Sequence, residues 1–431
     1  MNRSTVTYSI ADINSFKQKL IQWASQFDYY SVLKGNIDQN SGLYLEKEFL
    51  VGADSLSVLE THKNSFEQLE NFYDQQKDWL FGALSYDLKN ELEKLESNNL
   101  DSIFFPKLIF FQPKWVFEIK GNDVSFHYPN FVERSQMRMV FKQIMKFSFV
   151  HESIEKIKLK QRTSKNEYID NFKKIKDHIN KGDIYEINYC QEFYCEDVNI
   201  NMLQVFKELD KISDAPFSAF FKAKKIELAC ASPERFLKKS NKKLISQPIK
   251  GTKKRGKDSQ QDELFKNNLL NCTKERSENV MIVDLVRNDL SKTATEASVI
   301  VEELFGVYSF KQVHQMISTI TSTLKSDEKW SQALKDCFPM GSMTGAPKIK
   351  AMELIEKYEN AQRGLYSGSV GYITPDLDFD FNVVIRSVIY NSQNKYLSFS
   401  VGGAITAQSI ADMEYEECLL KANAIFNVLN A

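Results

Sequence analysis

A lysine beside a glycine, a glutamate after a proline, an isolated arginine and a set of helix carboxylates are the residues of this chain whose types and spacing can do chemistry. Lys250 lies in Pro248-Ile249-Lys250-Gly251-Thr252. Pro248 fixes one backbone torsion and Gly251 frees another, so the lysine is held in one place. Such a lysine becomes a nucleophile when its ammonium is desolvated or crowded by positive charge, which frees the lone pair; the plain alternative is a surface lysine in a turn. Glu234, in Ser232-Pro233-Glu234, precedes that turn by one hairpin, and is either a solvated carboxylate or a neighbour of Lys250. Glu278 shares a helical stripe with Met281, Ile282 and Leu285. A charge in line with apolar residues needs a partner, either a metal ion or an arginine such as Arg287. Arg386 stands alone within the apolar run 383–389, where a guanidinium calls for a planar carboxylate. Glu414, Glu417 and Lys421 share one helix face at i, i+3 and i+7, a spacing that is ordinarily a solvated salt-bridge stripe. His314, in Val313-His314-Gln315-Met316, is a core histidine or a catalyst according to its neighbours. Together these residues suit a small anion with more than one carboxylate, bridged to the protein by a hard divalent ion such as magnesium.

The elements that must position these groups are legible in outline. Ser164-Lys165-Asn166-Glu167 is a capping box, and Tyr168, Phe172, Ile175 and Ile179 keep helical spacing until Gly182. The strand that follows, Ile184 to Phe193, alternates so that Glu186, Asn188 and Cys190 share one face and Tyr185, Ile187 and Tyr189 the other, which directs Glu186 toward a polar cleft. Residues 216–247 and the last hundred residues alternate like antiparallel strands, and 262–289 is helical in pattern. Residues 339–358 read as a glycine-rich loop opening a helix with Pro347 in its first turn, and free amides at such a terminus attract an anion, here a carboxylate. The spacing is neither that of a Walker loop nor that of a dinucleotide fingerprint. The first 150 residues read as an aromatic-rich α/β scaffold: Gly82 to Asp87 is a short strand leading into a helix, and Phe104 to Phe117 resembles strands broken by Pro106 and Pro113. A charged, aperiodic linker or crossover over 151–163 divides the chain into a scaffold region, 1–160, and a catalytic region, 161–431.

Composition narrows the function classes. The 431 residues, 42% hydrophobic and 26% charged, suit a soluble protein of two or three domains, or one large intertwined unit. With 56 basic and 57 acidic residues, no global field steers nucleic acid or a membrane surface toward the chain. The basic run Lys253, Lys254, Arg255 and Lys257 lacks interleaved aromatics, which weighs against a nucleic-acid module. Six scattered cysteines lack zinc or disulfide spacing, and no apolar run approaches a signal peptide or membrane span, so a cytoplasmic setting is expected.

SPERFL (232–237), QPIKGTKKRG (247–256), ERSENVMIVDLVRNDLSK (275–292), GSMTGAPKIKAMELIE (341–356), RGLYSGSVGYI (363–373), FNVVIRS (381–387) and the Glu414 to Lys421 helix together resemble the chorismate-utilising enzymes, in the same order. The likeness runs over about 165–428, and GALSYDLKNELE (82–93) resembles their N-terminal region. It implies an α+β fold, a large two-sheet antiparallel sandwich with outer helices enclosing the active site. It also implies that Glu278 and Glu417, assisted by Glu414, hold magnesium against the substrate's ring carboxylate. Arg386 and Tyr366, with amides near Gly402 and Gly403, would take the enolpyruvyl carboxylate. Gly251 and Thr252 would line the ring, and Lys421 matches the family's helix lysine. Glu234 matches the general acid that protonates the departing 4-hydroxyl, and His314 resembles the active-site histidine. Family members that activate water carry a lysine at the position of Glu186, so its glutamate argues against that chemistry. PIKGT, where the anthranilate-forming branch usually has PIAGT, is similar to the branch that aminates C4 through a lysine adduct. The implied partners are chorismate, ammonia from solution or from a separate glutaminase subunit, and a lyase acting on the product for p-aminobenzoate and folate synthesis. The anthranilate-forming branch is the nearest rival.

Overall fold

A computed structural model describes residues 2–35, 44, 47–148, 153–311 and 313–429. Among them, twenty strands join through antiparallel ladders into one network. Its root is the Leu108–Lys120 strand, which pairs along its length with Phe49–Thr61 and, at its start, with Leu80–Leu84. From the first partner the ladder continues through Tyr29–Lys34, Phe217–Ala223, Ile226–Ser232, Ser387–Asn391 and Tyr396–Thr406 to Glu186–Cys195. From the second it continues through Ser369–Ile373, Phe379–Asn382, Arg235–Ser240 and Lys243–Gln247 to Val313–Thr323, which also carries Ile249–Lys254. Two layers therefore grow from one strand, which is the antiparallel sandwich expected from the sequence.

Strand alternation sorts the core. Tyr29, Phe221 and Leu228 of the first layer meet Phe81, Leu237, Leu244 and Phe381 of the second. The neighbouring residues Tyr30, Phe220, Tyr189 and Phe399 face outward and are covered by Phe16 and Trp23 of the Ile13–Ala24 helix, Phe172 and Ile175 of Lys165–Lys181, and Ile425 of Ala411–Val428. Each such aromatic taken fully out of water contributes about 1.5–3 kcal/mol. The Lys165–Lys181 helix starts and stops where its residues dictate: Ser164 Oγ accepts from the Glu167 amide at 3.3 Å, and Gly182 ends it at φ 82°.

Two local expectations give way. Pro113 does not break its strand but sits inside Leu108–Lys120, beside a register shift between Ser55 and Ser57, where a bulge tolerates the missing donor. The helical stretch 262–289 is two helices, Ser259–Leu270 and Thr273–Ser291, separated at Asn271 and Cys272. Of the expected linker, residues 151 and 152 lie outside the described residues, and Lys160–Gln161 forms a short strand against Glu186–Cys195. Ladders cross residue 160 twice, Tyr29–Lys34 on Phe217–Ala223 and Leu80–Leu84 on Ser369–Ile373, so both parts of the chain contribute strands to each layer. Among the described residues no helix is long and apolar enough to cross a membrane.

Candidate active site

Where the layers are farthest from their common strand, they flank a cleft of about 840 Å³, a volume that takes in its opening to solvent. The segment around Lys250 is not a turn. Ile249–Lys254 is a strand whose register against Val313–Thr323 shifts between Ile249 and Thr252, with Gly251 at φ 92° inside the shift. Lys250 and Thr252 both line the cavity. Lys250, 8% exposed, donates from Nζ to Oε1 of Glu186 at 2.5 Å. Glu186 comes from the other layer, is 1% exposed, and its Oε2 is buried without a hydrogen-bond partner. Burial pushes the Lys250 pKa down, but Glu186 and Glu278 outweigh it and raise the pKa above the usual lysine value, so the resting group is an ammonium.

Glu234 is buried beside this pair. Its amide is held by Ser232 Oγ at 3.2 Å, and Ser342 Oγ donates to its Oε1 at 2.6 Å. Burial lifts its pKa to about 7 against the opposing pull of Ser342 and Lys250, so the carboxyl exchanges a proton near neutrality. Ser342 lies in the short turn Gly341–Met343, pinned where Asn188 Nδ2 donates to Ser342 O at 2.9 Å and Arg363 Nη1 donates to Met343 O at 2.6 Å. The glycine-rich stretch read as an anion loop is instead tied into a sheet: Gly345 and Ala346 pair with Ile187 and Glu186. Its contribution to the cavity is Ser342 and Met343.

Beside the Lys250 strand, the Thr273–Ser291 and Ala411–Val428 helices bring Glu275, Glu278, Glu414 and Glu417 to the cavity wall. Arg287 pairs with Asp284 rather than with Glu278. Lys274 stands between the two helices, its Nζ 3.0 Å from Glu414 Oε1 and 3.8 Å from Glu278 Oε1. The longer contact is no hydrogen bond, and Glu278 Oε1 is buried without a partner. Burial, with Glu186 adding to it, raises Glu278 to about 7, while Lys421, 2.8 Å from Glu417, keeps Glu417 below its usual value. Among the described residues no three His, Cys, Asp or Glu side chains are arranged to hold a metal ion as they stand. The chemistry of the wall nevertheless fits a hard divalent cation: its donors are carboxylate oxygens, and one, Glu278 Oε1, is buried without a hydrogen bond.

At the other end Arg386 is not within a strand. It sits at φ 51° between Phe379–Asn382 and Ser387–Asn391, and this left-handed residue turns its side chain into the cavity. Burial lowers its pKa, and Glu234 is the nearby charge that opposes this. Tyr366 joins it on the wall, its hydroxyl 3.5 Å from Cys190 Sγ. Gly402 and Gly403 line the cavity from the Tyr396–Thr406 strand. A Cβ on Gly402 would lie 2.3 Å from Cys190 Sγ, and Lys421 donates to the Gly402 carbonyl at 3.0 Å.

Residues 26–427 match the family of chorismate binding enzymes. The chain belongs to that family. Two solved structures share its fold: anthranilate synthase component I from Streptococcus pneumoniae superposes with TM-score 0.76 at 21% identity over 100% of this chain and 92% of the other, and the menaquinone-specific isochorismate synthase of Escherichia coli with TM-score 0.78 at 14% identity over 99% and 95%. Among curated sequences the chain is similar to a probable chloroplastic aminodeoxychorismate synthase of rice, 40% identical over 64% of this chain and 31% of that protein. It is 38% identical to aminodeoxychorismate synthase component 1 of E. coli over 62% of this chain and 58% of that one. It is 30% identical to an anthranilate synthase component I-like protein of Synechocystis over 81% and 72%. The match spans less than two thirds of the rice and E. coli relatives.

In this member of the family, Lys250, Thr252, Glu234, Glu278, Glu414, Glu417, Lys421, Tyr366, Arg386, Gly402 and Gly403, each singled out in the sequence, line one cavity. Glu186 stands behind Lys250, and Gly251 faces Glu275 and Leu269. His314 is the exception. It points to the opposite face of its strand, where Nδ1 meets Ser309 Oγ at 2.8 Å and Nε2 meets Asp262 Oδ1 at 2.9 Å. The next residue, Gln315, takes the cavity position, because successive strand residues face opposite ways. Gln315 lies opposite Thr252 in the ladder, and its buried Oε1 has no partner. Sequence reasoning also passed over Ser342, Lys274 and Glu275. Alternation along 313–323 carried the signal for Gln315; nothing local marked Ser342.

Proposed function

We propose that the chain is the synthase component that aminates chorismate at C4, giving 4-amino-4-deoxychorismate. The observation that carries this reading is Lys250, a buried lysine on the cavity wall with a carboxylate from the facing layer within hydrogen-bond reach. Arg386 and Tyr366 hold the enolpyruvyl carboxylate. Glu278 and Glu417, with Glu414, would hold magnesium, which would supply positive charge against the ring carboxylate. Glu186 accepts a proton from the Lys250 ammonium and frees its lone pair. The amine attacks C2, both ring double bonds shift, C1=C2 to C1=C6 and C5=C6 to C4=C5, and the C4–O bond breaks as Glu234 protonates the leaving hydroxyl, releasing water. Ammonia then attacks C4, both double bonds return to their first positions, and the C2–N bond breaks; the new amine gives a proton to Glu234, and Glu186 returns its proton to Lys250. Two allylic displacements replace one direct substitution, the usual gain of covalent catalysis. A Glu234 pKa of about 7 suits an acid that is partly protonated at neutral pH and regains its proton between turnovers.

The name component 1 on the E. coli relative supports a second subunit, which we read as the glutaminase that supplies ammonia. A lyase consuming the product and a cytoplasmic setting complete this reading. A second reading, anthranilate formation, is favoured by the name of the Synechocystis relative. Incubation with chorismate, magnesium and ammonium, followed by mass spectrometry, separates the two, since anthranilate is fluorescent and aromatic. Lys250→Ala is expected to abolish the C4-aminated product; undiminished formation by that variant would sink the covalent role.

A further inference from the structure

The acid wall has a feature that the reaction above leaves unused. Lys274 sits in the first turn of Thr273–Ser291, one helical turn before Glu278, and reaches across to Glu414 on another helix. It lines the same cavity as Glu275, Glu278, Glu414 and Glu417. Four carboxylates at one wall repel each other, and the burial-driven rise of Glu275 is increased further by Glu417. A cation between the helices relieves that repulsion, and Lys274 is one. Burial alone would lower its pKa, but Glu414, Glu278 and Glu417 hold it above the usual lysine value.

Lys421, the other lysine of this wall, is anchored differently. It pairs with Glu417 on its own helix and also donates to the backbone carbonyl of Gly402, which fixes it to the sheet. The ion pairs of Lys274 are with carboxylates, and its side chain is 32% exposed, so it has a route to solvent. Glu278 Oε1 stays buried and without a hydrogen bond even with Lys274 in place. The ammonium therefore satisfies Glu414 well and Glu278 poorly, which leaves a carboxylate oxygen ready for a better cation.

We propose that Lys274 is a resident counter-ion for the divalent-metal seat: it fills the gap between Glu278 and Glu414 when the ion is away and swings to solvent when the ion enters. This rests on the reading that these acids hold magnesium. Its consequence is a preformed acid wall that stays folded without metal, at the cost of weaker metal binding, because each ion that enters displaces an ammonium. A divalent ion wins the exchange because its double charge and several coordination positions engage both carboxylates at once.

The test is calorimetric titration of Mg²⁺ into the wild type and Lys274→Met, with chorismate absent and again with chorismate present and ammonia withheld. The variant is expected to bind Mg²⁺ at least tenfold more tightly and, after chelation, to melt below the wild type, with saturating Mg²⁺ closing that gap. Lys274→Gln replaces it if the methionine variant does not fold. In the wild type, acylation of Lys274 by a small amine-reactive probe, read by peptide mass spectrometry, is expected to rise severalfold when Mg²⁺ is added. Equal or weaker binding by the variants, or labelling that Mg²⁺ does not raise, overturns the counter-ion role while wild-type binding leaves the metal reading standing. If no protein binds Mg²⁺ under either condition, the metal reading falls and the inference with it.

Discussion

At the root of the sandwich, Phe111 touches Phe81 of one layer and Phe221 of the other, with ring centroids 6.0 and 6.4 Å apart; at the far end, the contact across the layers is Lys250 against Glu186 at 2.5 Å. The same two ladders thus hold apolar rings where they share a strand and a charge pair where they part. The difference is one of solvent access and purpose. At the root the rings are fully buried, and their packing, with the ladders to the shared strand, holds the layers at their spacing. At the open end the spacing is set by groups that must also gain and lose protons, and an unpaired oxygen of Glu186 is left there. The root is held by apolar contact and the open end by a paired charge, and only the open end carries groups that can do chemistry.

The sharpest way to break this contrast is to remove one partner at each end. Lys250→Met leaves Glu186 as an uncompensated buried charge and is expected to cost about 3–5 kcal/mol of stability, together with all C4 amination. Adding Glu186→Met removes the stranded charge, so the double variant is expected to recover most of that stability and none of the turnover. Phe111→Ala is expected to cost about 3–5 kcal/mol as well, but with no partner substitution that restores it and with turnover retained at temperatures where the variant stays folded. Urea denaturation beside product assays reads all three variants. A double variant as unstable as the single one would show that the open end is held by packing after all.

Next in size is Glu234. Its folded pKa, about 7, lies above the ordinary carboxyl value, so the unfolded chain gives up this proton first. Stability attributable to the group is therefore present below the ordinary carboxyl range and is lost as pH rises toward 7. Glu234→Gln is expected to be more stable than the wild type at pH 8, with the gap closing below pH 5. In the proposed reaction the same substitution removes the proton donor, lowering kcat by about 10²–10⁴ and abolishing a fall in kcat/KM above about pH 7. Thermal melts across pH and a pH–rate profile check the two halves separately.

How much of this was legible in the sequence follows the same division. The Ser164 cap, the Glu186 face and the runs of antiparallel strands are readable because alternation and capping are local properties of consecutive residues, whereas their assembly into two layers is implied only by the resemblance to the family. The identities of the cavity residues are readable too, since a run of ordered motifs carries them. What the sequence hid was set by long-range geometry. Lys250 reads as a turn residue because Pro248 and Gly251 flank it, yet Val313–Thr323 pairs with this segment and converts it into a bulged strand. Arg386 reads as a strand residue, and only its left-handed torsion aims it into the cavity. Glu278 was poised between an arginine and a metal ion, and its neighbour proved to be Lys274, one turn earlier on the same helix. Ser342 lies 108 residues from the carboxyl it serves.

The smallest of these effects concerns the histidine and its neighbour, and it sharpens the line between the two faces of one strand. His314 is held by Ser309 and by Asp262, whose carboxylate also takes Arg255 at 2.7 Å and lies well below its usual pKa, chiefly through that arginine. An acid so engaged is a poor proton relay, and the ring faces away from the cavity. His314→Gln is therefore expected to change kcat by less than about threefold while lowering the melting temperature by about 1 °C, the shift that about 1 kcal/mol for a lost buried hydrogen bond makes in a chain of this length. Gln315 faces the cavity with a free carbonyl oxygen, so it is the residue able to accept a hydrogen bond from the substrate. Gln315→Leu is expected to raise the KM for chorismate by about tenfold, the value of roughly one such bond, with little change in melting temperature. Steady-state kinetics and thermal melts of the pair decide it. If His314→Gln carries the larger kinetic loss, the strand presents its chemistry on the face opposite to the one that lines the cavity.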